Sequence, residues 1–288
     1  MVKTYGDLYL QARREIAKYE PESASVVARE LLAAASNKTV EAILRDRDVS
    51  APPQTELHLN KLLLDYSQGM PLAYILGSWT FFGLELKVTP DVLIPRDDTM
   101  AVTELALEKM KHIARPRVLD LCTGSGCIGI AIGANVPNAR VTLADLSEAA
   151  LAVAKENVLR HHLQSRTNIV QLDATEPCPG FLGKYDVIIS NPPYITGAEM
   201  KQLDRSVGEY EPHTALYGGE DGLDFYRAIC ENFSTALVDG GWLCFEFGCG
   251  QEQAVEQILS EYRFGELQFI QDNAKIIRAV AARKTERN

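Results

Sequence analysis

The stretch R-V-L-D-L-C-T-G-S-G-C-I-G, residues 117–129, joins a short apolar run to a glycine-rich loop. Residues 117–121 have the composition of a buried strand, and the sequence from the loop to Ala134 predicts a helix. Glycines in such a loop permit positive φ angles and let the backbone approach a ligand closely. The spacing Gly124-x-Gly126-x-x-Gly129 has the form of a dinucleotide-binding fingerprint, although one match of this kind is a weak indication.

Acidic residues follow the next two predicted strands. Residues 140–145 end at Asp145, about 20 positions after the glycines, where an acid can accept hydrogen bonds from both hydroxyls of a ribose. A third strand, residues 168–172, leads directly into Asp173 and Ala174. Together with the motif that follows the fourth strand, described next, this succession of a glycine loop and two acids is much less probable by chance than any single piece.

The fourth predicted strand, residues 185–189, leads into S-N-P-P-Y-I at positions 190–195. Pro192 keeps Asn191 out of the helical region, and Pro193 lacks the N–H that a turn would use. The side-chain oxygen of Asn191 and the carbonyl of Pro192 therefore form a rigid acceptor pair beside the ring of Tyr194. Such a pair suits a planar –NH2 group. The sequence N-P-P is also common, however, in loops that have no functional role.

The chain before the glycine loop divides into two parts without a chemical motif. Residues 1–71 predict a small antiparallel helical bundle, in which Asp7 caps a helix whose apolar stripe runs to Tyr19. This domain is either structural or a platform that docks the substrate. Residues 72–98 predict a β-hairpin linker with strands at 75–82 and 84–88, and residues 99–288 form the remaining domain. Arg96, in the linker, either reaches a ligand or lies in solvent.

Composition limits the classes of partner. The 288 residues carry a net charge of −10 with a pI near 5.1, which argues against a surface for nonspecific nucleic-acid binding or for anionic membranes. Charges interrupt the first apolar residues, unlike in a signal peptide. The six cysteines form no C-x-x-C pair, and no Cys/His cluster has zinc-like spacing. We therefore expect a cytoplasmic protein with reduced cysteines and no metal site.

Taken together, the stretches D-L-C-T-G-S-G, A-D-L-S-E-A-A-L and S-N-P-P-Y-I resemble the class I methyltransferases that use S-adenosylmethionine. More narrowly, the chain resembles the release-factor glutamine methyltransferases. The resemblance covers nearly the whole chain, including A-Y-I-L-G-S-W-T-F-F-G before the glycine loop and E-P-H-T-A-L-Y-G-G-E-D-G after N-P-P-Y. It implies an α/β fold: a Rossmann-like, mixed seven-stranded domain that ends in a β-hairpin and is preceded by the helical bundle and the hairpin linker.

The resemblance also implies an activity and a site. The enzyme would transfer a methyl group from S-adenosyl-L-methionine to the side-chain amide nitrogen of the Gln in the Gly-Gly-Gln motif of bacterial class-I peptide-chain release factors. The catalytic residues implied are Asn191, Pro192, Pro193 and Tyr194. The cofactor-binding residues implied are Cys122, Thr123, Gly124, Ser125, Gly126, Asp145, Asp173, Ala174 and Asn191. No direct contact with nucleic acid or membrane is expected.

Several residues depart from the family pattern. Asp97 and Met100 stand where Pro and Glu are usual, Cys122 where the cofactor loop often opens with Gly, and Ala174 where an aromatic residue is common. Near the C-terminus, Lys275 and Ile277 replace a usual Gly and Asp.

Two alternative functions stay open. A nucleic-acid methyltransferase acting on exocyclic base amines would use the same –NH2 geometry, and a noncatalytic cofactor-binding scaffold is the third candidate. Two local features are also undecided. Glu246, in an apolar strand, is either a buried partner or a wall of the site. The glycine-rich residues 217–221 are either a mobile loop or a static turn.

Overall fold

The computed structural model describes residues 3–285. Residues 1–2 and 286–288, the outer ends of the predicted first and last domains, lie outside the described residues. The chain divides into two compact units: Met1–Gly77 with Arg205–Tyr210, and Ser78–Asp204 with Glu211–Asn288. The functional division into 1–71, 72–98 and 99–288 stays a prediction. Within residues 3–285, none of the helices has both the length and the apolar character that a membrane crossing requires.

The first unit is helical, and its helices between residues 5 and 76 share one apolar core. They are α1 (Tyr5–Ile16), α2 (Ala24–Ser36), α3 (Val40–Arg45), α4 (Pro53–Ser67), α5 (Leu72–Leu76) and the short α9 (Arg205–Gly208). The prediction that Asp7 caps α1 is wrong: the cap is Thr4, whose hydroxyl accepts the Asp7 N–H while the Asp7 carboxylate accepts the Thr4 N–H. Tyr19 lies beyond the end of α1 and is exposed, so the buried stripe ends at Ile16.

The second unit begins with the predicted hairpin, β1 (Ser78–Phe81) and β2 (Leu84–Lys87). Its two-residue turn, Phe82-Gly83, has positive φ at both positions, as a type I′ turn requires. The expectation that the first strand starts at residue 75 is wrong. Ile75 belongs to α5, which Gly77 ends in the left-handed conformation that terminates many helices.

A mixed seven-stranded sheet forms the centre of the second unit, as predicted. Its strands are β3 (Arg117–Leu121), β4 (Arg140–Asp145), β5 (Thr167–Gln171), β6 (Tyr185–Ser190), β7 (Leu237–Glu246), β8 (Phe264–Gln271) and β9 (Ile277–Lys284). The spatial order is β5-β4-β3-β6-β7-β9-β8, and β9 runs antiparallel to both of its neighbours. Because β3, β4 and β6 are parallel and in register, the loops after all three leave from one edge.

Helices cover both faces of this sheet. Buried residues of α10 (Asp224–Phe233) and α11 (Glu252–Glu261) pack on one face. Those of α6 (Thr99–Met110), α7 (Cys127–Asn135) and α8 (Glu148–Arg160) pack on the other. Single turns of 3-10 helix occur at Gly180–Leu182, Glu199–Gln202, His213–Ala215 and Ser234–Ala236.

Gly129 shows why the glycine loop needs its third glycine. A Cβ atom at this position would lie 2.2 Å from Cδ2 of Leu143 in β4. The absence of a side chain therefore lets α7 pack directly on the sheet, which sets the direction of the loop that precedes the helix.

Candidate active site

A cavity of about 280 Å³ opens at the edge of the sheet where β3, β4 and β6 end. Seven of the residues predicted for the site line it: Cys122, Gly124, Asp145, Asp173, Ala174, Asn191 and Pro193. The sequence did not single out the other walls, which come from residues 91–93, from Leu146, Ser147 and Ala150, from Leu172, and from Pro212, Thr214, Ala215 and Phe225. The stretch E-P-H-T-A-L, already part of the family resemblance, was the signal that could have identified part of them.

The remaining predicted residues lie outside the lining of this cavity. Thr123 and Ser125 are buried, and the Thr123 hydroxyl donates to Oδ2 of Asp120 at 2.6 Å. Gly126 caps α7 with φ of 83°. These three residues therefore support the shape of the glycine loop without lining the cavity. Tyr194, in contrast, lines a neighbouring depression of about 430 Å³ together with Gly248 and Arg278.

Asp145 is held by two backbone donors. Its Oδ2 accepts the N–H of Gly124 at 2.8 Å, and its Oδ1 accepts the N–H of Ser147 at 2.9 Å. Burial raises the pKa of Asp145, and the backbone hydrogen bonds oppose that shift. Since a carboxylate has about four acceptor positions, two are still available for ligand hydroxyls.

Asn191 follows β6 and is fixed through its side chain. Its Nδ2 donates to Oγ1 of Thr99, the first residue of α6, at 3.2 Å. With the amide nitrogen held by Thr99, the amide oxygen is the polar atom that Asn191 offers to the cavity.

The N-P-P-Y loop is also fixed on its other side. Gln251 donates from Nε2 to the Tyr194 carbonyl at 3.0 Å, and Ile195 pairs with Tyr217 in a parallel bridge. A Cβ at Gly218 would lie 2.6 Å from the Pro193 oxygen. The glycine-rich residues 217–221 therefore pack against the loop, which favours the static-turn alternative.

Arg96 is neither in the cavity lining nor free in solvent. Its guanidinium forms an ion pair with Glu211, whose side chain is 1% exposed. Burial raises the pKa of Glu211, and the Arg96 charge counters it. Because Pro212 follows Glu211, this ion pair anchors one wall of the cavity to the segment before α6.

Two departures from the family pattern occur where the backbone is left-handed. Cys122 has φ of 56° and Lys275 has φ of 63°, and both stand where the family usually has Gly. A residue with a Cβ atom adopts this conformation at a cost of about 1–2 kcal/mol. Burial also raises the pKa of the Cys122 thiol, so this cavity residue is a neutral group.

Comparisons with known proteins agree with this architecture. Residues 96–207 match the family model described as "Methyltransferase small domain", and residues 7–77 match "PrmC N-terminal domain". A solved structure of a methyltransferase from Pyrococcus furiosus superposes with a TM-score of 0.51 at 18% identity, covering 72% of this chain and 92% of that one. At this identity the likeness concerns the fold alone.

Curated relatives are considerably more similar. The release factor glutamine methyltransferase of Clostridium botulinum is 40% identical over 215 residues, covering 75% of this chain and 76% of that protein. The enzyme of the same name from Geobacter sulfurreducens is 43% identical over 215 residues, covering 74% and 73%. With identities of this size over about three quarters of each chain, the protein belongs to the release factor glutamine methyltransferase family.

Proposed function

We propose that this protein transfers a methyl group from S-adenosyl-L-methionine to the side-chain amide nitrogen of the Gln in the Gly-Gly-Gln motif of class-I peptide-chain release factors. The observation that carries the proposal is the fixed amide of Asn191 at the cavity wall, with Nδ2 held by Thr99. Its oxygen is an acceptor for the N–H of a substrate amide. Membership of a family with this named activity supports the same conclusion.

The cavity residues fit S-adenosylmethionine, on which methyltransferases of this kind depend. A Cβ built on Gly124 meets nothing within 4 Å, so the loop leaves open space beside its backbone. Asp145 keeps two acceptor positions for ribose hydroxyls, and Asp173 lines the same cavity. When bound, the cofactor supplies a methyl group on a positively charged sulfur. Cys122 and Gly124 would hold its methionine part, on a loop whose shape depends on Thr123, Ser125 and Gly126.

The chemical problem is the weak nucleophile. The lone pair of an amide nitrogen is delocalised into its carbonyl, so the nitrogen attacks only when it is oriented and its developing charge is stabilised. Asn191 and the Pro192 carbonyl accept the two N–H groups of the substrate amide and favour positive charge on nitrogen. Tyr194 stacks on the planar amide, and Pro193 keeps the loop rigid. The surplus proton leaves after the transfer.

The helical first unit provides selection of the protein substrate. A free Gln fits the acceptor pair, so a small cavity alone cannot select one Gln among all proteins, and remote contacts must contribute. Leu57 and Leu64 lie seven residues apart on α4 and are 63% and 56% exposed. This spacing places both on one face of the helix. We assign this face to the docking of the release factor.

Methylation of exocyclic amines of DNA or RNA is the alternative, because these groups present the same pair of donors. The net charge of −10 opposes a polyanionic substrate.

A direct test incubates the protein with radiolabelled S-adenosylmethionine and either an intact release factor, the factor with its motif Gln changed to Ala, or single-stranded DNA and RNA. Label in the intact factor alone supports the proposal. Label in nucleic acid, or equal label in the altered factor, would contradict it.

A further inference from the structure

Gln251 is a half-buried residue beside the N-P-P-Y loop that the proposed mechanism does not yet use. It follows β7, which ends at Glu246; that residue is 1% exposed and lies outside the linings of both the cavity and the neighbouring depression. A turn then brings Gln251 to the start of α11, where its backbone N–H donates to the Gly248 carbonyl at 3.1 Å. From there the residue lines the depression together with Tyr194.

The side-chain amide of Gln251 uses both of its ends. Its Oε1 accepts the N–H of Gly248 at 2.9 Å, and its Nε2 donates to the Tyr194 carbonyl at 3.0 Å. The same Nε2 lies 3.5 Å from the Gly222 carbonyl. An N–H needs an acceptor and a carbonyl needs a donor, so these partners fix the direction of the amide. A carboxylate of the same shape could make the first bond but not the second.

Two glycines leave room for this side chain. A Cβ at Gly222 would lie 2.4 Å from the Tyr194 oxygen and 2.7 Å from Nε2 of Gln251. A Cβ at Gly248 would lie 3.0 Å from Oε1 of Gln251. The close approach of backbone on both sides lets one amide connect three segments: the N-P-P-Y loop, the residue after the glycine-rich stretch 217–221, and the turn before α11.

The bond to Tyr194 completes the fixing of one peptide unit. The N–H of Ile195, on the other side of the same peptide bond, donates to the Leu216 carbonyl at 2.9 Å. A peptide unit is planar, so holding both of its polar atoms also holds the Tyr194 Cα from which the ring extends. Without the Gln251 donor, the carbonyl is free to turn, and the ring turns with it.

We propose that Gln251 is a positioning residue for methyl transfer: its Nε2 holds the Tyr194 carbonyl and thereby keeps the Tyr194 ring against the substrate amide. The inference rests on the proposed function, in which this ring stacks on the amide of the substrate Gln. Gln251 acts through Tyr194, whereas the cofactor contacts come from the glycine loop and Asp145. Losing the Gln251 donor should therefore slow the transfer without weakening cofactor binding.

The kinetic test uses Q251E, which keeps the shape of the side chain and the acceptor for Gly248 but loses the donor for Tyr194. An ionised carboxylate here places one acceptor against another, and its protonation restores the donor. At about pH 8 we expect kcat of Q251E to be about tenfold or more below that of the unsubstituted protein. The ratio of the two kcat values should recover as pH falls through the pKa of the new carboxyl. The dissociation constant of S-adenosylmethionine should not change.

The charged groups that line the same depression do not interfere with this comparison. Asp221 pairs with Arg227 at 2.6 Å, and Arg278 pairs with Asp272 at 3.0 Å. Glu199, the third charged residue of the lining, is exposed. Because the ratio compares two proteins at the same pH, any titration that both proteins share cancels.

Q253E is the matched control, because Gln253 is exposed on the same helix and the substitution makes the same change of charge. It should keep the kcat and the pH profile of the unsubstituted protein. Q251M removes both side-chain hydrogen bonds without adding a charge, so it should lose kcat as Q251E does and show no recovery at low pH. If Q251E does not fold, Q251M carries the kinetic test.

Amide hydrogen exchange separates this inference from the proposed function, because it needs no substrate. The Ile195 N–H should exchange about tenfold or more faster in Q251M than in the unsubstituted protein, while the amides of β6 keep their rates. If the unsubstituted protein fails to methylate a release factor, the proposed function is wrong, and the exchange rate of Ile195 still decides whether Gln251 holds the loop. Unchanged exchange at Ile195, an unaltered kcat in either variant, or a Q251E enzyme that does not recover at low pH would overturn the inference.

Discussion

Oδ2 of Asp145 accepts a hydrogen bond from the backbone N–H of Gly124 across 2.8 Å. This bond ties the glycine loop after β3 to the acid at the end of β4. The shape of the loop and the acceptor for the ribose are therefore parts of one arrangement, and a change at Asp145 should disturb both.

The first prediction concerns D145A. We expect S-adenosylmethionine binding to weaken by about 1–3 kcal/mol, because hydrogen bonds to a charged acceptor are lost. Calorimetric titration measures the dissociation constant. D186N is the matched control, since Asp186 also accepts a backbone N–H, that of Arg117, at 2.8 Å. An unchanged dissociation constant in D145A would mean that the ribose lies elsewhere.

N191A should abolish most of the transfer and leave cofactor binding largely intact. Losing a positioned acceptor costs on the order of a hundredfold in kcat, whereas most cofactor contacts come from the glycine loop and Asp145. Single-turnover methylation of a release factor measures the rate. Asn168, exposed on β5, provides the control variant N168A. Turnover near that of the unsubstituted protein in N191A would contradict the mechanism.

G218A should displace the N-P-P-Y loop. The new Cβ would lie 2.6 Å from the Pro193 oxygen and the Tyr194 Cα, both backbone atoms that cannot rotate away. We expect overpacking of about 1–3 kcal/mol in the free energy of unfolding and a clear drop in kcat. G180A is the control, because a Cβ there meets nothing within 4 Å. Equal stability and activity of the two variants would show that the loop tolerates the shift.

R96M removes the partner of a buried carboxylate. Breaking a pair of this kind costs about 3–5 kcal/mol when both groups are buried, and we expect a smaller loss because Arg96 is partly exposed. Burial raises the pKa of Glu211 above its unfolded value, so ionisation opposes folding. The loss should therefore grow as pH rises through that pKa and shrink at lower pH. Urea unfolding at several pH values measures it, and R96M/E211Q should recover part of the loss. A loss that does not depend on pH would contradict this account.

The double variant L57S/L64S tests docking on the full chain. Both side chains are exposed, so the melting temperature should not change. Loss of two anchoring residues should raise KM for an intact release factor by about fivefold or more. L159S, which changes another exposed leucine on α8, should have no effect. An unaltered KM in L57S/L64S would remove this face of α4 from the docking surface.

Local patterns in the sequence predicted the elements well. The strands predicted at residues 117–121 and 185–189 lie where runs of apolar residues put them, because such a run is typical of a strand that is buried on both faces. The sequence was a poorer guide where two neighbouring residues could both play the same structural role. Thr4 and Asp7 are both good caps, and only the backbone conformation decides between them.

Contacts between distant segments could not be predicted. Arg96 and Glu211 are 115 positions apart, and Thr99 and Asn191 are 92 apart. Their pairing depends on the order of strands in the sheet, which periodicity does not encode. The packing of Gly218 on Pro193 has the same origin. The sequence identified the polar residues at the ends of strands, whereas the groups that orient them required the tertiary structure.

The two edge strands of the sheet are β5 and β8. Edge strands bear on whether a protein aggregates at high concentration. A straight unpaired edge is a template on which strands of other molecules can add. β8 is not straight: Glu266 has φ of 47°, and the register with β9 shifts between Gly265 and Gln268. Such irregularity bends a strand out of the plane that an incoming strand needs. On this side of the sheet, resistance to aggregation is therefore built into the course of the backbone.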